Sequence, residues 1–220
     1  MARRRATVSF LPIVVAARAD AADAEPVDEA VLDACAALLR QHGLRRWSVD
    51  DVADRAGVGR TTVYRRFSGR DDLVHAVLAR ELRETVVAIE AAAAARTRLE
   101  DKLVDAALVG LRALDGSVVD DLLRSDPATF LPFLTTGAGP LLALARELLV
   151  AAARNAGIPA DDGHVAAAAE VAARLGLSFV LTRDTVLPVA DDPAAARAMV
   201  RDLLKPVLAS LTRQVRSAAR

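Results

Sequence analysis

Val49-Asp50-Asp51-Val52-Ala53-Asp54-Arg55-Ala56-Gly57-Val58-Gly59-Arg60-Thr61-Thr62-Val63-Tyr64-Arg65-Arg66-Phe67 decides how the rest of the chain is read. Ser48 stands before it as a helix cap, and Asp51 lies three residues on as its capping-box partner. The short helix this opens, Val49–Arg55, turns Val52 and Ala53 inward. Ala56-Gly57-Val58 follows as a tight turn, with glycine allowing the reversal. A second short helix then runs over roughly Gly59–Phe67. On it Val63 and Phe67 are four apart and face inward. Arg60 with Tyr64, and Thr61 with Arg65, are also four apart on faces that carry hydrogen-bonding groups. Two helices joined in this way make a helix-turn-helix. From Arg55 to Arg70 there are five arginines and no acid. A basic helix of this width fits a DNA major groove, where Arg makes paired bonds to guanine, while Thr and Tyr hydroxyls suit phosphate oxygens.

Upstream, Pro26–Gln41 carries Val27, Ala30, Val31, Ala34, Leu38 and Leu39 at three- and four-residue steps and ends at His42-Gly43, one amphipathic helix. Downstream, Ser68 and Asp71 repeat the capping signature and open a long helix over about Gly69–Ala95. Helices are expected at Arg98–Leu114, Val118–Arg124, Pro127–Leu134, Pro140–Ala156 and His164–Thr182. A last one runs from Asp191-Asp192-Pro193 to about Val215, with a local kink at Pro206. Composition agrees. The 220 residues include 48 alanines but only 3% aromatics, which favours helix over strand. The expected fold is all-α: a three-helix head and a larger helical C-terminal part.

Charge is informative where it is located. Lys+Arg and Asp+Glu are both 29, for a net of zero. Between Arg40 and Arg70, eight arginines face three aspartates, a local +5, so the remainder sums to −5. A neutral total thus hides a basic patch suited to a polyanion.

The segment Val49–Leu73, within a match spanning about Val27–Val77, resembles the DNA-binding head of the TetR family of bacterial transcriptional regulators. The ordered features are the aliphatic-Ala pair, Ala56-Gly57-Val58, Val63-Tyr64, Phe67, and a basic residue before Asp71-Asp72-Leu73. The resemblance implies a cytoplasmic, ligand-responsive regulator, a repressor that binds a near-palindromic double-stranded DNA operator as a homodimer. It assigns Tyr64, Arg70 and Ser48 to the DNA backbone, and Arg60, Thr61, Thr62 and Arg65 to the groove. Gly59 departs from the serine usual in the family, and Thr61 from the frequent glycine. The implied domains are an arm at 1–25, a DNA-binding head at 26–75, and an effector-binding and dimerisation domain at 76–220.

Two apolar stripes suit dimerisation: Val165, Ala168, Ala172 and Leu175 on one helix, and Met199, Leu203 and Val207 on the last. The alternative for either is intramolecular core. The uncharged run Pro127–Ala145 is broken by prolines and glycines and reads as paired buried helices rather than a membrane span. Phe130, Phe133, Leu134 and Thr135, completed by Leu144, Leu148 and Phe179, could line a chamber for an apolar small-molecule effector, or be ordinary core. Residues 1–24 read as a flexible basic arm; a cleaved signal or an over-long start assignment are the other readings.

No catalytic motif stands out and no cofactor or metal is expected. Gly57–Thr62 lacks the lysine and the preceding strand of a phosphate loop, and Asp72 with His75 has no further ligands nearby. Cys35 is alone and reads as a small buried hydrophobe. The reading from another class is a helical small-molecule-binding protein or enzyme whose head does not bind DNA.

Overall fold

A computed structural model of the protein describes residues 10–18, 26–44, 46–113, 115–155, 163–182, 192–203 and 205. Helices α1 (Phe10–Arg18), α2 (Pro26–His42), α3 (Val49–Ala56), α4 (Arg60–Arg66), α5 (Arg70–Ala94), α6 (Leu99–Arg112), α7 (Val118–Ser125), α8 (Pro127–Leu134), α9 (Gly139–Asn155) and α10 (Gly163–Leu181) follow one another. A further helical stretch covers 193–203, and no strand occurs among the described residues. From α2 onward the bounds lie within about two residues of those read from the capping and glycine signals. Pro206 and Val207 lie outside the described residues.

The chain forms two compact units, 1–84 with 115–140, and 85–114 with 141–220. Both units are discontinuous in sequence. α7 and α8 join the unit that holds α2–α4. Two features attach α7. Glu81 of α5 accepts hydrogen bonds from the Val118 amide, at 2.9 and 3.1 Å to its two carboxylate oxygens. Arg40 of α2 lies 3.4 Å from Glu81 and 3.6 Å from Asp121. The Glu81 carboxylate therefore satisfies an otherwise orphan amide at the start of α7 and sits at the positive end of its dipole. Burial nevertheless holds its pKa above the ordinary value, against the opposing effects of Val118 and Arg40. This contact joins residues 37 apart, which no local pattern announces.

α1 corrects the expectation of a flexible arm for residues 10–18. Pro12 is the third residue of the helix, where the first-turn amides have no intrahelical partner and proline is tolerated. Ile13 and Val14 are buried. Arg83 donates to the Ala16 carbonyl at 3.0 Å, supplying both a partner and a cation at the helix C-terminus. Residues 1–9 and 19–25, the remainder of the expected arm, lie outside the described residues.

In the first unit the core is drawn from every helix, including Val31, Leu39, Val52, Val63, Leu73, Val77, Val118, Leu122 and Phe130. Cys35 is fully buried among them, as read from the sequence. Burial pushes its thiol pKa up to about 12, opposed by Arg70 and Arg80. In the second unit Val104, Leu108, Ala196 and Val200 form a buried cluster, with Met199 packed against it.

Candidate nucleic-acid interface

The helix-turn-helix is built by local chemistry. Ser48 caps α3 with a reciprocal box. Its hydroxyl accepts from the Asp51 amide at 3.3 Å, and its own amide donates to Asp51 Oδ2 at 2.7 Å. The Ser48 hydroxyl also donates to Asp51 Oδ2 at 2.7 Å, and this bond, with the one from the Ser48 amide, holds the Asp51 carboxyl below its ordinary pKa. Gly57 ends α3 in the left-handed region, at φ 69°, while Val58 N–H reaches back to the Ala53 carbonyl at 3.0 Å. No atom would crowd a side chain at Gly57, so it is the backbone angle that requires glycine there.

Gly59 stands at the N-cap of α4 and offers no side-chain cap. That is the expected consequence of glycine at this position. Val63 is fully buried and fixes the inner face of α4. Thr61, Tyr64 and Arg65 are exposed and Thr62 is half-buried. Tyr64 is 52% exposed, a large aromatic turned to solvent when a packing role would have hidden it. Phe67, read as inward-facing, is half-buried just beyond the helix end.

The arginines divide by their partners. Arg60 pairs with Asp50 of α3, and the second carboxylate oxygen of Asp50 is buried without a partner. Arg66 pairs with Asp28 of α2 at 3.4 Å. Arg70 lies over the Trp47 ring, 4.6 Å from its centroid, a cation–π contact. Its Nε and one terminal nitrogen are buried and unpaired. Trp47 is itself anchored by its indole N–H on the Gly43 carbonyl at 2.9 Å. Arg55 and Arg65 are exposed and have no carboxylate partner among the described residues. The sequence marked Trp47 as core but gave no sign of its stack with Arg70, because 23 residues separate them. The second capping box also differs in its partner. Ser68 amide and hydroxyl donate to Asp72 Oδ2 at 2.9 and 3.3 Å, where Asp71 was expected.

The residues read as effector or dimer surface fall in several environments. Phe130, Phe133 and Leu134 are buried, the two rings 5.4 Å apart. Thr135 is exposed and its hydroxyl donates to the Leu131 carbonyl at 2.9 Å. Leu144 is buried, while Leu148 and Phe179 are half-buried. Val165 is buried, Ala168 and Ala172 are half-buried, and Leu175 and Leu203 are exposed. Met199 faces its own unit's cluster.

A short basic helix, set on a capped partner by a left-handed glycine and turning its polar groups outward, defines a helix-turn-helix DNA-binding protein. Comparison carries this further. Residues 31–77 match the family described as bacterial regulatory proteins, tetR family, and residues 88–206 match the bacterial tetracyclin repressor C-terminal domain. The chain belongs to the TetR family of bacterial regulators, as a ligand-responsive DNA-binding transcriptional regulator. None of the curated proteins matches the sequence significantly.

Among solved structures, it is similar to the TetR family repressor AlkX from Dietzia sp. strain DQ12-45-1b, implicated in biodegradation of n-alkanes. Identity is 24%, the TM-score is 0.61, and 83% of this chain and 97% of that one are covered. The fatty acid degradation regulator FadR from Bacillus halodurans gives 18% identity and a TM-score of 0.51, covering 82% and 95%. A TetR/AcrR family regulator from Thermobifida fusca gives 16% and 0.51, covering 79% and 93%. At these identities the likeness is one of fold.

Proposed function

We propose that two copies of this chain bind one near-palindromic duplex operator as a repressor, each laying α4 in a major groove. The observation that carries this reading is the outward face of α4. Thr61, Tyr64 and Arg65 stand in solvent while Val63 fixes the helix from behind. Arg60, Thr61, Thr62 and Arg65 read base edges, and Ser48 and Tyr64 hold phosphates. Arg70 acts beside them, its guanidinium oriented by the Trp47 face. Arg60 reaches DNA only by exchanging Asp50 for a nucleic-acid acceptor.

The second copy covers the apolar surface that one chain leaves open. α10 is long and apolar enough to cross a membrane by length and composition, yet only 11% of its apolar window is buried. Val171 and Leu175 on α10, and Leu203 beyond it, are more than half exposed. Alanines between them allow close helix approach. A symmetric helix pair in the cytoplasm satisfies this face, and the dimer supplies two heads for two half-sites. A small molecule bound in the helical part changes their spacing and releases the operator. No catalytic step is assigned to the chain.

Operator fragments selected from random duplex DNA test the reading. Bound fragments should share an inverted repeat, and affinity should fall steeply and linearly on a log–log salt plot. Tyr64→Ala should weaken all sequences alike. Absence of any salt-dependent duplex binding would leave a helical small-molecule-binding protein or enzyme in its place.

A further inference from the structure

A cavity of about 420 Å³ opens in the unit formed by 85–114 and 141–220. That is within the range of small-molecule sites, about 300–1,000 Å³. Leu108, Val109 and Pro193 give it apolar walls, and its charged lining is Asp105, Arg112 and Arg197. None of the residues expected from the sequence to line an effector chamber belongs to it.

The charges around it do not balance. Asp105 is only 7% exposed, and it pairs with both Arg96 and Arg197. Arg112 stands two helical turns along α6 from Asp105, on the same face. It has no carboxylate partner among the described residues. The neighbouring acids are occupied elsewhere: Glu100 and Asp101 lie 3.0 and 2.8 Å from Arg201. Asp101 reaches Arg96 only through its field and is not part of the lining. The lining thus carries two guanidiniums, Arg112 and Arg197, against one carboxylate, Asp105, which Arg96 also meets from outside the lining. One more anionic group would be favoured there, provided that its remaining body is apolar.

We propose that this cavity is the effector site and that it takes a small amphipathic oxyanion. Arg112 and Arg197 hold the anionic head, and Leu108, Val109 and Pro193 receive the apolar body. The proposal rests on the reading of the chain as a ligand-responsive regulator, and deepens it by naming the ligand class. The head competes with Asp105 for Arg197. Binding therefore loosens the tether between α6 and the helical stretch that begins at Pro193, the same stretch that carries the exposed Leu203. An effector that weakens an intrachain clamp has the differential contact between two states that a switch requires.

The test uses the full chain and three probes in titration calorimetry: octanoate, octanol and acetate. Octanoate should bind at one site per chain, with octanol and acetate each at least tenfold weaker, since each lacks one half of the match. Arg112→Gln, at an exposed position, should cost octanoate at least fivefold with an unchanged circular dichroism spectrum. Arg197→Gln should do the same, and Arg197→Lys should retain part of the affinity. Equal binding of octanol and octanoate, no octanoate binding, or unaltered affinity in Arg112→Gln overturns the assignment. Duplex binding is measured separately without octanoate. Its failure beside intact octanoate binding sinks the regulator reading and keeps the site. The reverse result sinks the site alone.

Discussion

The two units solve the problem of a hydrophobic core differently. Of the twelve largest fully buried side chains among the described residues, eleven belong to the unit 1–84 with 115–140; Val104 alone belongs to the other. The first unit interlocks phenylalanine, leucine, isoleucine and valine from several helices. The second is richer in alanine, and leaves Val87, Val171, Leu175 and Leu203 more than half exposed, where the first leaves Leu11 and Val15 of α1 and Tyr64 of α4. Alanine makes a good helix but little area to bury. On the reading proposed above, a second copy and a ligand complete the surface that this unit leaves open. The difference separates the part that must be rigid to present α4 from the part that must respond.

The sharpest way to break this contrast is at Phe130, read from the sequence as an effector contact and found 1% exposed against Phe133. Phe130→Ala should cost about 3–5 kcal/mol in denaturant unfolding, the usual range for a truncated core aromatic. Phe130→Leu should cost clearly less and keep duplex binding. A loss below about 1 kcal/mol for the alanine variant would mean that the first unit holds a cavity there, and the contrast would fail.

The complementary test is in the other unit. The double variant Leu175→Glu/Leu203→Glu puts charge on the exposed apolar face without touching the Val104 cluster. Light scattering should report a monomer where the parent is a dimer. The change should cost about 2 kcal/mol or more of association, with operator affinity falling in step. A dimer unchanged by both charges would move the interface to another surface.

The same contrast explains what the sequence disclosed. Helix bounds and the α3–α4 turn were legible because Ser48, Gly57, Pro127 and Gly139 act on their immediate neighbours. The outward face of α4 followed from the spacing of Val63 against Thr61 and Arg65. What escaped depends on contacts distant in sequence: Glu81 on the α7 amide, Arg70 on Trp47, Asp50 on Arg60. α1 escaped because proline in a first helical turn looks the same as an interruption. The apolar stripes were visible, but periodicity does not say what covers a stripe. Met199 on its own unit's cluster and Leu203 in solvent have the same signature.

A smaller effect probes how rigidly the head is set. Ser48→Ala removes the hydroxyl from the α3 box and should lower stability by about 1 kcal/mol. The Asp51 half of the box adds a pH dependence. Its folded pKa is depressed, so its contribution is complete above the unfolded value, about 3.9, and is lost as pH falls through the folded value. The gap between the thermal melts of parent and Ser48→Ala should therefore narrow as pH is lowered from 7 through the acid range in which folded Asp51 takes up its proton. A constant gap between them would show that the hydroxyl acts without the carboxylate.

The smallest expected change is at Asp50, and it asks whether the head is rigid even to the level of one side chain. In the free protein Arg60 is held by Asp50, both partners being open to solvent. An exposed pair of this kind is worth up to about 1 kcal/mol, so the exchange of Asp50 for DNA should cost no more than several-fold in affinity. Asp50→Asn should raise affinity for random duplex by that amount, because Arg60 is released and one negative charge leaves the interface. The outcome for the selected operator distinguishes two roles. If Asp50 merely competes, operator and random duplex gain alike and discrimination is unchanged. If Asp50 aims Arg60 at one base, the operator gains less than random duplex, and preference relaxes at a single position of each half-site. Fluorescence anisotropy on both duplexes at one fixed salt concentration separates these results. Unchanged affinity for both would mean that Arg60 stays on its own protein and that Arg65 and the threonines read the groove alone.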